Sequence, residues 1–209
     1  MRGFASGGGS GGCDMHGFFH KDNVIVPARF YQAGNLAIEN PNDIVPVADK
    51  IYAYPVFFSR ATTIKDLHIF VSGARVGGLA RIGIYNSISA STGPAGANTY
   101  PNALLYDSGA LDCSVSARKT ANANFACTAN TLYWLVSLQN NAGGGVAQVR
   151  GLVDYSLWGM LGFTTDGSTT AKQGWQATQA YGALPAVFPT AGSTALYLGW
   201  VPAVWYSFV

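Results

Sequence analysis

Apolar and polar positions alternate with a period of two along much of this chain. In Thr62–Ser72 (TTIKDLHIFVS), Ile64, then Leu67, Ile69 and Val71 fall on one face, with polar residues on the other. Leu79–Tyr85 (LARIGIY) sets Leu79, Arg81, Gly83 and Tyr85 against Ala80, Ile82 and Ile84. Successive side chains of an extended chain point to opposite sides, so this period predicts strands. Further strands are expected at Ile51–Phe58, Ala103–Cys113, Asn124–Cys127, Leu132–Leu138, Ala147–Val153, Leu157–Phe163, Ala195–Val201 and Val204–Phe208. No stretch of about ten residues carries a helical period. About ten short strands divided by Gly, Pro, Asn and Ser turns point to a sandwich or barrel.

Three segments break the pattern. Val24–Tyr31 reads as one short strand interrupted by Pro27, and Asn40–Pro46 (NPNDIVP) as a turn-rich connector. The domain boundary is placed near residue 45: residues 1–45 form a glycine-rich arm and connector, residues 46–209 the β domain. The arm reads as a solvated tail or as a segment that orders against a neighbouring subunit. Ser87–Asn102 is a Gly/Pro/Ser/Asn loop, and Thr164–Ser193 is a second, longer one. Loops as long as Thr164–Ser193 in a compact domain are usually functional or disordered.

Composition narrows the function classes. Charged residues are 11% of the 209 and aromatics 13%, and Glu39 is the only glutamate. Low charge with many β-branched and aromatic residues suits strands, and suits a subunit that hides surface against copies of itself. The net charge of +2 comes without a Lys/Arg cluster, so no nucleic-acid partner is expected. No apolar run reaches the ~18 residues of a membrane span, so no membrane insertion is expected. The N-terminus has glycines where a signal peptide needs an apolar stretch, so synthesis in a cytoplasm without Sec export is expected.

Candidate chemistry is sparse. Glycoside hydrolysis needs two carboxylates at a set spacing. The candidates are Asp107, Asp112, Asp154 and Asp166, and Asp107 in its DSG sequence reads as a turn residue. A Ser/His/Asp triad would have to use His16, His20 or His68, and His68 reads as a surface or interface residue of a strand. Gly73–Gly78 (GARVGG) lacks the Lys-Ser/Thr of a phosphate loop and reads as a hairpin turn. Cys13, His16 and His20 form a C-x2-H-x3-H half-site, which is read as part of the arm and not as a metal centre. No cofactor, no metal and no enzymatic activity are expected.

Cys113 and Cys127 flank SVSARKTANANFA, whose polar centre reads as a hairpin with Thr120 at its midpoint and Val115 opposite Phe125. That pairing predicts two thiols within disulfide reach; a bridge there would contribute about 3 kcal/mol by loop entropy. Cytosolic synthesis argues that it forms late or stays reduced. Cys13 is then unpaired. Trp134, Trp200 and Trp205 fall in strands and read as core or interface. Trp175, Gln176, Gln179 and Tyr181, with Gln173 near by, fall in the long loop. A flat ring beside amide groups is what a sugar site uses, and the competing reading makes Trp175 a plug against the sheet.

The residues LARIGIYNS, a GPAG loop, ALLYDSGALD and NTLYWLVSLQ resemble a recurring β module of phage tail fibres, spikes and related particle appendages. The resemblance lies in Arg81, Gly83, Ile84, Tyr85, Pro94, Gly96, Leu104, Leu105, Asp107, Ser108, Gly109, Tyr133, Trp134 and Leu135, and in Ala183–Pro185 (ALP). It covers residues 51–209 and departs from the pattern at the Asn-rich insertion Ala95–Asn102. It implies an antiparallel β-sandwich of jelly-roll type, carried on an extended N-terminal arm. It implies a structural virion component that attaches to bacterial surface glycans and is assembled as a homotrimer, or as a pentamer at a capsid vertex. The arm would dock on other virion proteins. Two alternatives stand beside it. One is a purely architectural capsid decoration or spike base, and the other is an exported carbohydrate-binding module of a bacterium.

Overall fold

A computed structural model describes residues 31–32, 42–88, 100–152, 172–191, 194–197 and 201–209. Among these residues the elements are all strands. They are β1 (Tyr31–Gln32), β2 (Asn42–Ile44), β3 (Lys50–Phe58), β4 (Thr62–Gly73), β5 (Leu79–Ile88), β6 (Tyr100–Asp107) and β7 (Leu111–Asp112), followed by β8 (Arg118–Cys127), β9 (Thr131–Gln139), β10 (Gln148–Leu152), β11 (Lys172–Thr178), β12 (Thr194–Tyr197), β13 (Val201–Pro202) and β14 (Trp205–Phe208). Every pairing is antiparallel. Sheet one runs β1-β14-β4-β10-β13, with β2 on β10 and β8 on β4. Sheet two runs β12-β11-β3-β9-β5-β6, with β7 on β5. The expected all-β sandwich is what these strands build.

The core lies between the sheets. Alternation sends Leu67, Ile69 and Val71 of β4 inward, where they join Tyr54 and Phe58 of β3 and Leu135 of β9. Phe58 sits at the centre of an aromatic group, edge-on to Tyr206 at 5.7 Å and to Phe208 at 6.2 Å. Tilted and edge-on pairs of this kind suit the ring quadrupole.

Sheet two is buried on both faces. Its outer face carries Ile51, Ala53, Tyr85, Trp134, Val136 and Trp175, and residues 179–191 cross over them with Leu184 and Phe188 underneath. This explains why Leu132–Leu138 reads as a continuous apolar run: both pleats need apolar side chains.

Four sequence expectations are corrected here. Asn42–Ile44, read as connector, is a strand paired with β10, and Ile44 is buried in the core. The boundary near residue 45 therefore falls just after a strand of sheet one. The hairpin expected between Cys113 and Cys127 does not form; the segment supplies the continuous strand β8 against β4. Residues 74–78 link β4 in sheet one to β5 in sheet two, so they bridge the layers and do not close a hairpin. The long loop Thr164–Ser193 contains β11, paired with β3 and β12. Leu157–Phe163 and the rest of the glycine-rich arm lie outside the described residues.

Candidate functional site

Arg81, Tyr85 and Asp107 lie together on sheet two, and their hydrogen bonds tie down residues 179–191. Arg81 Nη1 donates to Asp107 Oδ2 at 2.6 Å, and the Leu184 N–H donates to the same oxygen at 3.0 Å. The Gly109 N–H donates to Asp107 Oδ1 at 2.9 Å, with Gly109 at φ +70°, where glycine avoids the Cβ penalty. Asp107 is thus the turn residue it was expected to be, and a clamp besides. The hydroxyl of Tyr85 donates to Pro185 O at 2.6 Å, and that of Tyr100 to Pro189 O at 2.5 Å. Backbone bonds from Leu104 N–H to Ala186 O and from Phe188 N–H to Asn102 O stitch this strap to the edge of β6.

The four residues expected to form a glycan site do not come together. Trp175 is buried at 4% exposure, its ring edge-on to Tyr100 at 5.0 Å. Gln176, one residue on in the same strand, points to the other face of sheet two. Gln179 lies past the strand, where its side-chain amide donates to Ala180 O at 3.2 Å. The Tyr181 N–H donates to Asp49 Oδ1 at 2.8 Å and its hydroxyl to Ala80 O at 3.4 Å. The plug reading of Trp175 is the one its burial supports. Trp134 is fully buried, and Trp205 is partly buried against the core.

The two cysteines are unbridged and buried. The Cys113 N–H bonds Gly78 O just before β5, whereas Cys127 pairs with Thr62 at the start of β4. The nine residues Arg118–Ala126 of β8, about 30 Å of extended chain, lie between. Burial pushes the Cys113 thiol up to about 11 and the Cys127 thiol up to about 12, so both are neutral and poor nucleophiles. Asp112 is exposed, and bonds from the Ser114 hydroxyl and N–H hold its carboxyl below the usual range. Cys13, His16, His20, Glu39, Asp154, Asp166 and Trp200 lie outside the described residues. Among the described residues no group of three or more His, Cys, Asp or Glu could hold a metal.

The outer face of sheet one carries a different arrangement. Directly opposed residues form rows across it: Arg118 beside Phe70, Thr120 beside His68 beside Trp205, and Asn122 beside Asp66 beside Ser207. His68, expected at the surface or at an interface, is buried within this chain. Its Nδ1 lies 3.0 Å from Thr120 Oγ1 and its Nε2 lies 3.4 Å from Ser207 Oγ. Burial lowers its pKa to about 4, helped by the charge of Arg118 and opposed by that of Asp66. Ser207 Oγ donates to Asp66 Oδ2 at 3.4 Å, so the carboxylate is held by the hydroxyl. An imidazole of pKa about 4 is a weak base at neutral pH.

Phe70 stands out on this face. Its ring is 40% exposed, and the Arg150 guanidinium carbon lies 6.0 Å from the ring centroid. Arg150 also pairs with Asp43 at 3.1 Å, both side chains 41% exposed. Sequence reading passed over Phe70, Arg118 and Arg150. The signal was present, since Phe70 falls on the polar side of a strand whose apolar side is Leu67, Ile69 and Val71. No known family matches the chain, and no curated protein matches it.

Proposed function

We propose that this chain is a non-enzymatic structural subunit of a phage-type particle, a jelly-roll-like fibre or spike component that holds bacterial surface glycans on the outer face of sheet one. The observation that carries the reading is Phe70, 40% exposed on a strand face that also presents Thr120, Asn122 and Asp66, with the Arg150 guanidinium over its ring at 6.0 Å. Sugar sites combine a flat apolar ring with hydrogen-bonding groups fixed around it. Each copy would bind weakly, and several copies on one particle would supply avidity. The motif residues Arg81, Asp107 and Tyr85 are engaged in holding the strap, which fits a scaffold role.

The test is binding of the purified chain to a panel of bacterial surface polysaccharides, with location of the subunit in intact particles. Saccharide binding together with an exposed position on the particle is the expected result. The architectural reading, a capsid decoration or spike base, is favoured by one observation: Trp175 is interior. A particle-bound subunit that takes up no polysaccharide would establish that reading in place of ours.

A further inference from the structure

We infer that an ordered water is built into the interior of the sandwich, held between the Ser137 hydroxyl and the Gln139 amide near the end of β9. Alternate residues of a strand share one face, and Tyr133 and Leu135 of β9 join the core between the sheets. Pairing with β5 runs through to Gln139 without a register shift, so the same face sends Ser137 and Gln139 inward. Ser137 is fully buried and Gln139 is 2% exposed. Among the described residues no hydrogen-bond partner reaches Ser137 Oγ, Gln139 Oε1 or Gln139 Nε2. Buried polar side chains are as a rule bonded to protein or to ordered water. Neighbouring groups of this kind on one face call for a partner that lies beside both.

The surroundings decide what that partner is. Ser137 stands between Tyr52 and Ile82 across the sheet, and Gln139 faces Ala80, whose single methyl leaves room beside the longer amide. Ala147 and Val149 belong to the same core. Polar groups at this end of the sandwich are engaged elsewhere. The Asn140 amide accepts from Leu79 N–H at 2.7 Å and donates to Gly77 O at 3.1 Å. The Tyr52 hydroxyl accepts from Val47 N–H at 3.2 Å, and the Cys113 thiol donates to Leu111 O at 3.5 Å. Arg75 ties residues 74–78 to the connection after β9, donating to Ala142 O at 2.9 Å and to Gly143 O at 2.6 Å. An amide and a hydroxyl together need both a donor and an acceptor. Water supplies both, carries no charge and is small enough for a closed end. An ion would meet half of the need and would bring an unpaired charge into the core.

Water–protein NMR on the isotope-labelled full chain tests this. The Gln139 side-chain amide protons are expected to show water cross-peaks of opposite sign in NOE and ROE spectra. That sign marks a water that tumbles with the protein, and it separates such a water from proton exchange with solvent. Ser137→Ala should weaken these cross-peaks. A double-variant cycle then reads whether the two side chains share the water. Ser137→Ala should lower the melting temperature in the wild type, and lower it less in the Gln139→Met background, where the bridge is already gone. Equal drops in the two backgrounds overturn the inference, since side chains that share nothing act additively. Gln139 amide protons without a water cross-peak overturn it as well. So does a cross-peak from that amide to the Ser137 hydroxyl proton in place of water, which would show a direct bond between them. The wild-type spectra decide the matter even where a variant fails to fold.

Discussion

A methyl group at Gly83 would sit 2.4 Å from Leu184 Cδ1 and 2.5 Å from Tyr106 O. The second contact is backbone and cannot rotate away, so Gly83→Ala should destabilise the chain by about 1–3 kcal/mol. Urea denaturation reads this, and an unchanged midpoint would mean that the strap does not press on β5. The residue was visible in the sequence as part of R-x-G-I-Y, but its reason was not. Leu184 lies a hundred residues away, and no local pattern says that it lands there. The burial of His68 was hidden for a related reason: alternation places it on the outer face as a surface or interface residue, but the hydroxyls that enclose it come from β8 and β14. Its folded pKa of about 4 lies below the ordinary 6.5. The unfolded chain therefore binds a proton that the folded chain refuses between those values. The stability this contributes is complete above about pH 6.5 and is lost as pH falls toward 4. His68→Gln should make the urea midpoint fall less between about pH 7 and about pH 5 than in the wild type. Parallel profiles for the two proteins would contradict the assignment.

Strands with large apolar residues on a clear pleat were legible, β3, β4 and β9 within one residue of their ends and β5 within three. Strands β8 and β11 were not. In β8 the inward positions are mostly small, as in Ala121 and Ala123, and the outward ones are Thr120, Asn122 and Asn124, a composition shared with turns. Asn124 has φ +42°, and two β8 residues oppose Lys65 alone between the pairs Ile64–Phe125 and Asp66–Asn122. Such a bulge twists an edge strand away from further pairing. The Tyr106 hydroxyl adds a bond to Asn122 O at 2.8 Å. The strap covers the other long edge, at β6, and depends on Asp107. Asp107→Ala would leave the Arg81 guanidinium and the Leu184 N–H without that acceptor. Hydrogen exchange should then accelerate at Leu184 and Phe188, with a stability loss of about 1–3 kcal/mol. Unchanged protection at both amides would show that the strap is held by packing alone.

At the scale of the whole molecule, low charge and exposed apolar residues such as Val45, Val47 and Val187 suit a chain that assembles with copies of itself. With β8 bulged and β6 covered, contact would come through faces and ends and not through strand addition. Light scattering is expected to give a closed oligomer, a trimer above all, and a stable monomer at micromolar concentration would contradict this. The two-sheet fold was readable from the alternation of the sequence, but the candidate site was not. The sequence put the most attractive ring, Trp175, in a loop, and pairing with β3 puts it inside. Under the proposed function the two aromatic residues differ in role: Trp175 is packed inside the fold, and Phe70 would meet the ligand. The direct test measures melting temperature and polysaccharide binding for Trp175→Ala and Phe70→Ala side by side. Trp175→Ala should lose about 3–5 kcal/mol of stability, while Phe70→Ala keeps the wild-type melting temperature and loses binding. If Phe70→Ala binds polysaccharide as the wild type does, the outer face of sheet one is not the attachment surface.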